Sequence, residues 1–287
     1  MLLHGIDQPS FDGTNTYFVS KAAGKDVKVA LSGQGGDELF AGYPHFAGLL
    51  NASEYERRFP AWVRSIIKPL ISFVPGRYLP NKTWLSLSSL ERYAMLRNLA
   101  NEKSKRKIIS KSFFSAFNPK PLTDVLRPFM KPSDDSLALT SYIEVRNYLS
   151  NTLLRDGDAV SMAHSLEVRP ILLDHILAEY IFTLPSILKL NKEGGKRIFL
   201  DALRDLIPES IVHRPKMGFE MPLYDWLAGP LQDRAQMALA CSNAKLIFDK
   251  QFLDRSAIGL QEFNRRDRRL WGYMMLIEWM NANHASL

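Results

Sequence analysis

Apolar and polar residues along this chain follow a mostly helical period. Apolar side chains recur every three or four residues through 133–155, 161–168, 173–184, 195–206, 224–228 and 267–283, which predicts helices that bury one face. The longest is 133–155, with Asp134 and Asp135 in its first turn, where carboxylates complement the helix dipole. A helix is also predicted over 14–23, with Tyr17, Phe18 and Ala22 on one side and Gly24 closing it. One segment breaks the period. Val27-Lys28-Val29-Ala30-Leu31 predicts a short buried strand, and no strand is expected after it. Prolines from Pro60 to Pro230 cut the rest into helices joined by short turns, and no repeat emerges. The expectation is one domain over 1–287, with helix, strand and a glycine-rich loop in 1–45 and a helical region in 46–287.

Composition narrows the class. The 287 residues, 46% hydrophobic and 23% charged, suit a packed globular chain and exclude general disorder or low complexity. The greasiest region, 61–79, is interrupted by Lys68, Pro75 and Arg77, so no membrane span is expected. The net charge of +7 is concentrated in Lys103–Lys107 and Arg265–Arg269, both beside helical pattern, and reads as solvated helix faces rather than a nucleic-acid surface. The single cysteine, Cys241, permits no internal disulfide and reads as a small buried hydrophobe; with no secretory leader pattern, a cytoplasmic setting is expected. The six histidines show no zinc-ligand spacing. Trp226, Trp271, Tyr273, Met274, Met275 and Trp279 have the spacing of core or partner-facing helix residues.

The chemistry is concentrated after the strand, in Ser32-Gly33-Gln34-Gly35-Gly36-Asp37-Glu38-Leu39-Phe40-Ala41-Gly42-Tyr43. Three glycines in five positions let the backbone approach an anion, and their N–H groups with the Ser32 hydroxyl can form a phosphate-binding concavity. A carboxylate such as Asp37 or Glu38 beside phosphates requires Mg²⁺ between them, which points to a metal-bridged nucleotide or pyrophosphate. The alternative is a tight turn in which Asp37 caps a helix that begins at Glu38. The string matches neither the Walker loop nor the dinucleotide fingerprint.

Together, Asp7-Gln8-Pro9, Asp12-Gly13-Thr14-Asn15-Thr16-Tyr17 and the run from Val29 to Phe40 resemble the synthetase domain of glutamine-hydrolysing asparagine synthetases. Leu153–Arg169 resembles the second motif of that family, and Gly195-Lys196-Arg197 with His213-Arg214-Pro215-Lys216-Met217-Gly218-Phe219 resembles its third. The resemblance covers about Asp7 to Leu227. It implies a mainly α chain, the remnant of an α/β synthetase domain of adenine nucleotide alpha hydrolase type, with one or few parallel strands followed by a helical assembly. It also implies ATP and Mg²⁺ as cofactors: a carboxylate such as aspartate or an analogue is adenylated, and ammonia from glutamine displaces AMP. By position, Ser32, Gly33, Gln34, Gly35 and Gly36 fall where the family contacts ATP and the adenylate. Asp37 falls where an acidic residue holds Mg²⁺, and Lys216 on the catalytic lysine that stabilises the leaving pyrophosphate.

The sequence departs from the family in four places. Gln34 stands where asparagine synthetases usually carry glutamate, and its amide cannot accept a proton from the attacking amine, which leaves the acceptor carboxylate open. Pro170 directly follows Arg169, where the family more often places one residue between them. Leu2 follows Met1 where a cysteine nucleophile would stand, and the Ser-Gly-Gly-x-Asp-Ser pyrophosphate loop is absent. The chain therefore reads as the second part of a synthetase domain, completed in cis or in trans by the glutaminase and pyrophosphate-loop portion and inactive without it. A non-catalytic binding or assembly subunit is the alternative. A strand left without its neighbours also predicts an apolar patch and a possible homo-oligomer.

Overall fold

The computed structural model describes residues 2–10, 12–58, 63, 66, 87–130, 135–191, 194–212, 214, 218, 221–258 and 269–283. Helix α1 (Gly13–Ala23) ends at Gly24, whose N–H reaches Ser20 O at 2.8 Å, and leads into β1 (Val29–Ser32). The glycine-rich loop then opens into the short α2 (Gly36–Leu39), followed by α3 (Pro44–Arg58) and α4 (Ser89–Arg97). Ser88 and Glu91 start α4 with a reciprocal capping box, each side chain serving the other's backbone N–H.

The next helical run starts as α5 (Ser136–Glu144), widens into a π segment (Val145–Leu153) and narrows again as α6 (Leu154–Met162). It is longer than the pattern predicts. Asp135 lies just outside it as the N-cap and accepts from Leu137 N and Ala138 N, while Asp134 falls outside the described residues. Burial opposes ionisation of Asp135, but bonds from Ser186 and the Ala138 and Leu137 amides outweigh it and hold the carboxyl below its usual range.

The predicted helix over 161–168 does not form. The chain turns at Ser165, which takes a left-handed φ of 53°, and continues as β2 (Glu167–Pro170), parallel to β1 with Val29 opposite Glu167 and Ser32 opposite Pro170. Met162, Ala163 and Leu166 are too few to fix a helical period, and pairing with a distant strand decides the outcome. Pro170, which has no N–H to offer the ladder, occupies its last position. The described residues thus hold two parallel strands in an otherwise helical fold, the mainly α remnant that was expected.

Helices α7 (His175–Thr183), α8 (Arg197–Ala202), α9 (Gln232–Ala240), α10 (Ser242–Ile247) and α11 (Arg269–Ala282) complete the frame. The largest apolar cluster joins α9 and α10 to Leu270, Trp271, Met274, Met275, Ile277 and Met280 of α11, so the aromatic and methionine spacing marks core. Trp279 Nε1 donates to Ile6 O at 2.9 Å, which ties this C-terminal cluster to the N-terminal segment. A smaller cluster of Leu39, Phe40 and Ile181, with Leu173 and Phe199 against it, seats the glycine-rich loop. No described helix is long and apolar enough to cross a membrane.

The β1 strand is not buried as predicted. Val27, Val29 and Leu31 are 45%, 43% and 69% exposed, in contrast to the two-sided cover that parallel strands usually receive. The chain should therefore bind an apolar dye and associate as its concentration rises, and Leu31→Asp should weaken both. Unchanged dye fluorescence and sedimentation in Leu31→Asp would show that this face is not adhesive.

Candidate active site

The site is built where β1 ends. Ser32 Oγ accepts from Gln34 N at 3.1 Å, which curls the loop back over the strand end. Gly35 then takes φ 88° as the N-cap of α2, a conformation that L side chains rarely adopt, and a Cβ there would strike Leu173. Helix α2 thus begins at Gly36, with Asp37 and Glu38 inside its first turn, so Asp37 is not the cap.

The two carboxylates face different surroundings. Asp37 Oδ1 lies 2.8 Å from Lys196 Nζ, an ammonium delivered from the start of α8, with the two side chains 26% and 35% exposed. Gly42 leaves room for this pair, since a Cβ at that position would run into the Asp37 carboxylate and the Lys196 stem. Lys196 N donates to Phe40 O at 2.8 Å, and both Ala41 and Lys196 adopt left-handed φ, 54° and 61°. Two of the four left-handed non-glycine residues among the described positions thus lie beside Asp37. Glu38 turns inward. It accepts from Tyr43 Oη at 2.6 Å, and burial pushes its carboxyl above the usual range.

A buried polar knot supports the loop from behind. Glu144, at the end of α5, is wholly buried and receives His45 Nε2 at 2.8 Å, Tyr93 Oη at 3.1 Å and Arg97 Nη2 at 2.6 Å. The Arg97 guanidinium covers the Tyr148 ring at 3.6 Å and lies 5.2 Å from the Tyr43 ring. Burial works against the charge of Arg97, but Glu144 outweighs it and strengthens the guanidinium's hold on its proton. Tyr148 Oη in turn donates to Asp12 Oδ2 at 3.0 Å. The knot therefore joins α3, α4 and the long helical run to the tyrosine that holds Glu38.

Beyond Tyr148, Asp156 of α6 is only 2% exposed and accepts a hydrogen bond from the Ser10 hydroxyl, whose Oγ accepts from Asp12 N and Gly13 N. Burial moves the Asp156 carboxyl from 3.8 to about 6, partly offset by Ser10, with Asp12 and Asp7 adding to the rise. The folded state then binds this proton more tightly than the unfolded chain, so Asp156 lowers stability progressively as pH rises from about 4 to 6, by about 1–3 kcal/mol in full. Asp156→Asn keeps an acceptor for Ser10 and should be more stable than the parent at pH 8 but equal to it at pH 4, as read by urea unfolding. A constant difference between the two pH values would show that burial does not set the Asp156 titration.

The residues expected from 32 to 37 thus lie together, and Gln34 rests on Gly157 with its Nε2 3.4 Å from Leu153 O. Lys216 lies outside the described residues. Lys196 was visible only as one letter of the third motif, and Arg97, Glu144 and Tyr148 belonged to no motif. Among the described residues, no group of three or more His, Cys, Asp or Glu could hold a metal alone. Mg²⁺ commonly uses one or two carboxylates plus substrate phosphates, and Asp37 fits that requirement, since it already holds a cationic group.

Residues 3–281 match the asparagine synthase family. The chain belongs to that family. It is 30% identical to the protein named "Putative asparagine synthetase (glutamine-hydrolyzing)" from Mycobacterium tuberculosis, over 96% of this chain and 42% of that relative. It is 25% identical to asparagine synthetase (glutamine-hydrolyzing) 1 of Bacillus subtilis, over 93% of the chain and 42% of the relative. Amidase chyE of Penicillium rubens is 24% identical over 84% of the chain and 39% of its own length. The chain thus spans about two fifths of the length of these relatives.

Proposed function

We propose that this chain forms the part of an ATP-dependent amide synthetase that receives the phosphate end of ATP and the acyl-adenylate. The observation that carries this reading is Asp37, held against a lysine at the mouth of a glycine-rich loop where β1 ends, within a chain of the asparagine synthase family. The substrate carboxylate attacks the α-phosphorus and pyrophosphate leaves; ammonia then adds to the acyl carbonyl and AMP leaves. Ser32, Gly33, Gln34, Gly35 and Gly36 contact the adenylate. Asp37 would hold Mg²⁺, which would supply positive charge to neutralise the pyrophosphate. Lys216 stabilises the charge that develops on the leaving group. Gln34 cannot take the proton released by the attacking amine, so another base or water removes it. That difference favours an acceptor other than aspartate.

The polypeptide that brings glutaminase and pyrophosphate-loop residues, in cis or in trans, covers the exposed face of β1. A cytoplasmic setting fits the single cysteine, Cys241. The test is pyrophosphate release with ATP, Mg²⁺, ammonia and a panel of carboxylates beginning with aspartate. The 287-residue chain is expected to turn over only with that second portion. Turnover by the chain alone, abolished by Lys216→Ala, would show that the phosphate site is complete within it. No turnover with any carboxylate in the combined preparation would favour a binding or assembly subunit.

A further inference from the structure

We propose that Lys196 is the resident counter-charge of Asp37, a positioning residue that holds the divalent-cation position and yields it when metal-bound phosphate arrives. This rests on the reading of Asp37 as the Mg²⁺ ligand. The Lys196 ammonium lies 2.8 Å from Asp37 Oδ1, so the carboxylate is paired and oriented. An ammonium at that distance competes with a Mg²⁺ for the same carboxylate, because the two cations repel at close range.

The backbone indicates that this pairing is built rather than incidental. Lys196 takes a left-handed φ of 61° without capping α8 by its side chain, and its N–H is fixed to Phe40 O at 2.8 Å. Gly42 is shaped around both partners, since a Cβ there would strike each of them. Both side chains remain partly exposed, so exchange needs no opening of the core. A cleft of about 460 Å³, lined by Asn191, Gly194, Gly195, Arg197 and Arg204, adjoins Lys196. The displaced ammonium has a flexible four-carbon stem, which lets it turn from Asp37 to phosphate oxygens without moving the backbone. Exchange of one cation for another keeps Asp37 paired throughout, so incoming phosphates never meet a bare carboxylate.

The experiment is a Mn²⁺ titration of the complete 287-residue chain without nucleotide, followed by paramagnetic broadening of the backbone amide NMR signals of Gly35–Leu39. Lys196→Met removes the charge and keeps the stem. Lys196→Gly removes the charge and relaxes the left-handed backbone, so it stays folded if the methionine variant does not. Both should broaden these signals at a Mn²⁺ concentration roughly threefold lower than the parent, the scale expected for a partly screened ion pair. Asp37→Asn should show no site-specific broadening. Equal Mn²⁺ sensitivity in the parent and the Lys196 variants, with loss in Asp37→Asn, would overturn the counter-charge role and leave Asp37 as a cation ligand. Parent-like broadening in Asp37→Asn, or none in any protein, would overturn the reading of Asp37 as well.

Discussion

Asp37→Asn should slow pyrophosphate release about 100-fold or more in the assembled synthetase, the usual scale for losing one preorganised charge at a site of developing charge. The substitution is nearly isosteric, so the loop geometry survives, but the amide carries no charge for a metal ion. It also leaves the Lys196 ammonium facing a neutral group that can no longer balance it. The loss should appear both in kcat and in a raised Mg²⁺ requirement. Stability should change little, because an ion pair between side chains 26% and 35% exposed contributes at most about 1 kcal/mol. Steady-state assays across Mg²⁺ concentrations, with urea unfolding of the same preparations, separate the two effects. A loss below tenfold with unchanged Mg²⁺ dependence would remove Asp37 from the phosphate site.

Glu144→Ala should be the most destabilising substitution, by about 3–5 kcal/mol, because it strands a largely buried guanidinium and deprives two further donors of their acceptor. The side chain of Glu144 is wholly buried and that of Arg97 only 16% exposed, so water cannot compensate for the loss. Glu144→Gln keeps the shape and part of the hydrogen bonding and should cost less. Glu144→Leu combined with Arg97→Met removes both charges and should recover much of the stability lost in Glu144→Ala. Urea midpoints for the four proteins decide the matter; a loss below about 1 kcal/mol in Glu144→Ala would mean that the knot is not a source of stability. Tyr43 and Tyr148 contact Arg97, so the same substitution should also loosen the setting of Glu38.

Local chemistry made the loop legible in the sequence, and long-range pairing hid much of what surrounds it. The run Ser32 to Asp37 could be read because closely spaced glycines beside carboxylates have few structural uses, and the structure keeps them contiguous at the end of β1. The helices over 14–23, 173–184 and 224–228 were legible from period alone and lie within a few residues of their predicted ends. β2 was not, because four residues carry no usable period and their conformation depends on a strand more than a hundred positions away. Burial of β1 was inferred from its composition, yet composition records what a strand is suited to pack against, not which partner is present. Lys196 stood in a motif without a stated role, and Arg97 was indistinguishable from a surface cation, until the fold placed carboxylates beside them.

The π segment between α5 and α6 makes length as important as sequence in this part of the chain. Glu144, just before it, faces the polar knot, while Asp156 and Gly157, just after it, face Ser10 and Gln34. The wide turns act as a phase setter between these two faces. Loss or gain of a single residue within 145–153 would rotate one face against the other by about 100°. Such an indel before Leu153 would leave every motif letter intact and still part the knot from the loop it supports. Substitutions in this stretch are constrained one side chain at a time, whereas a change of length is constrained by both faces at once.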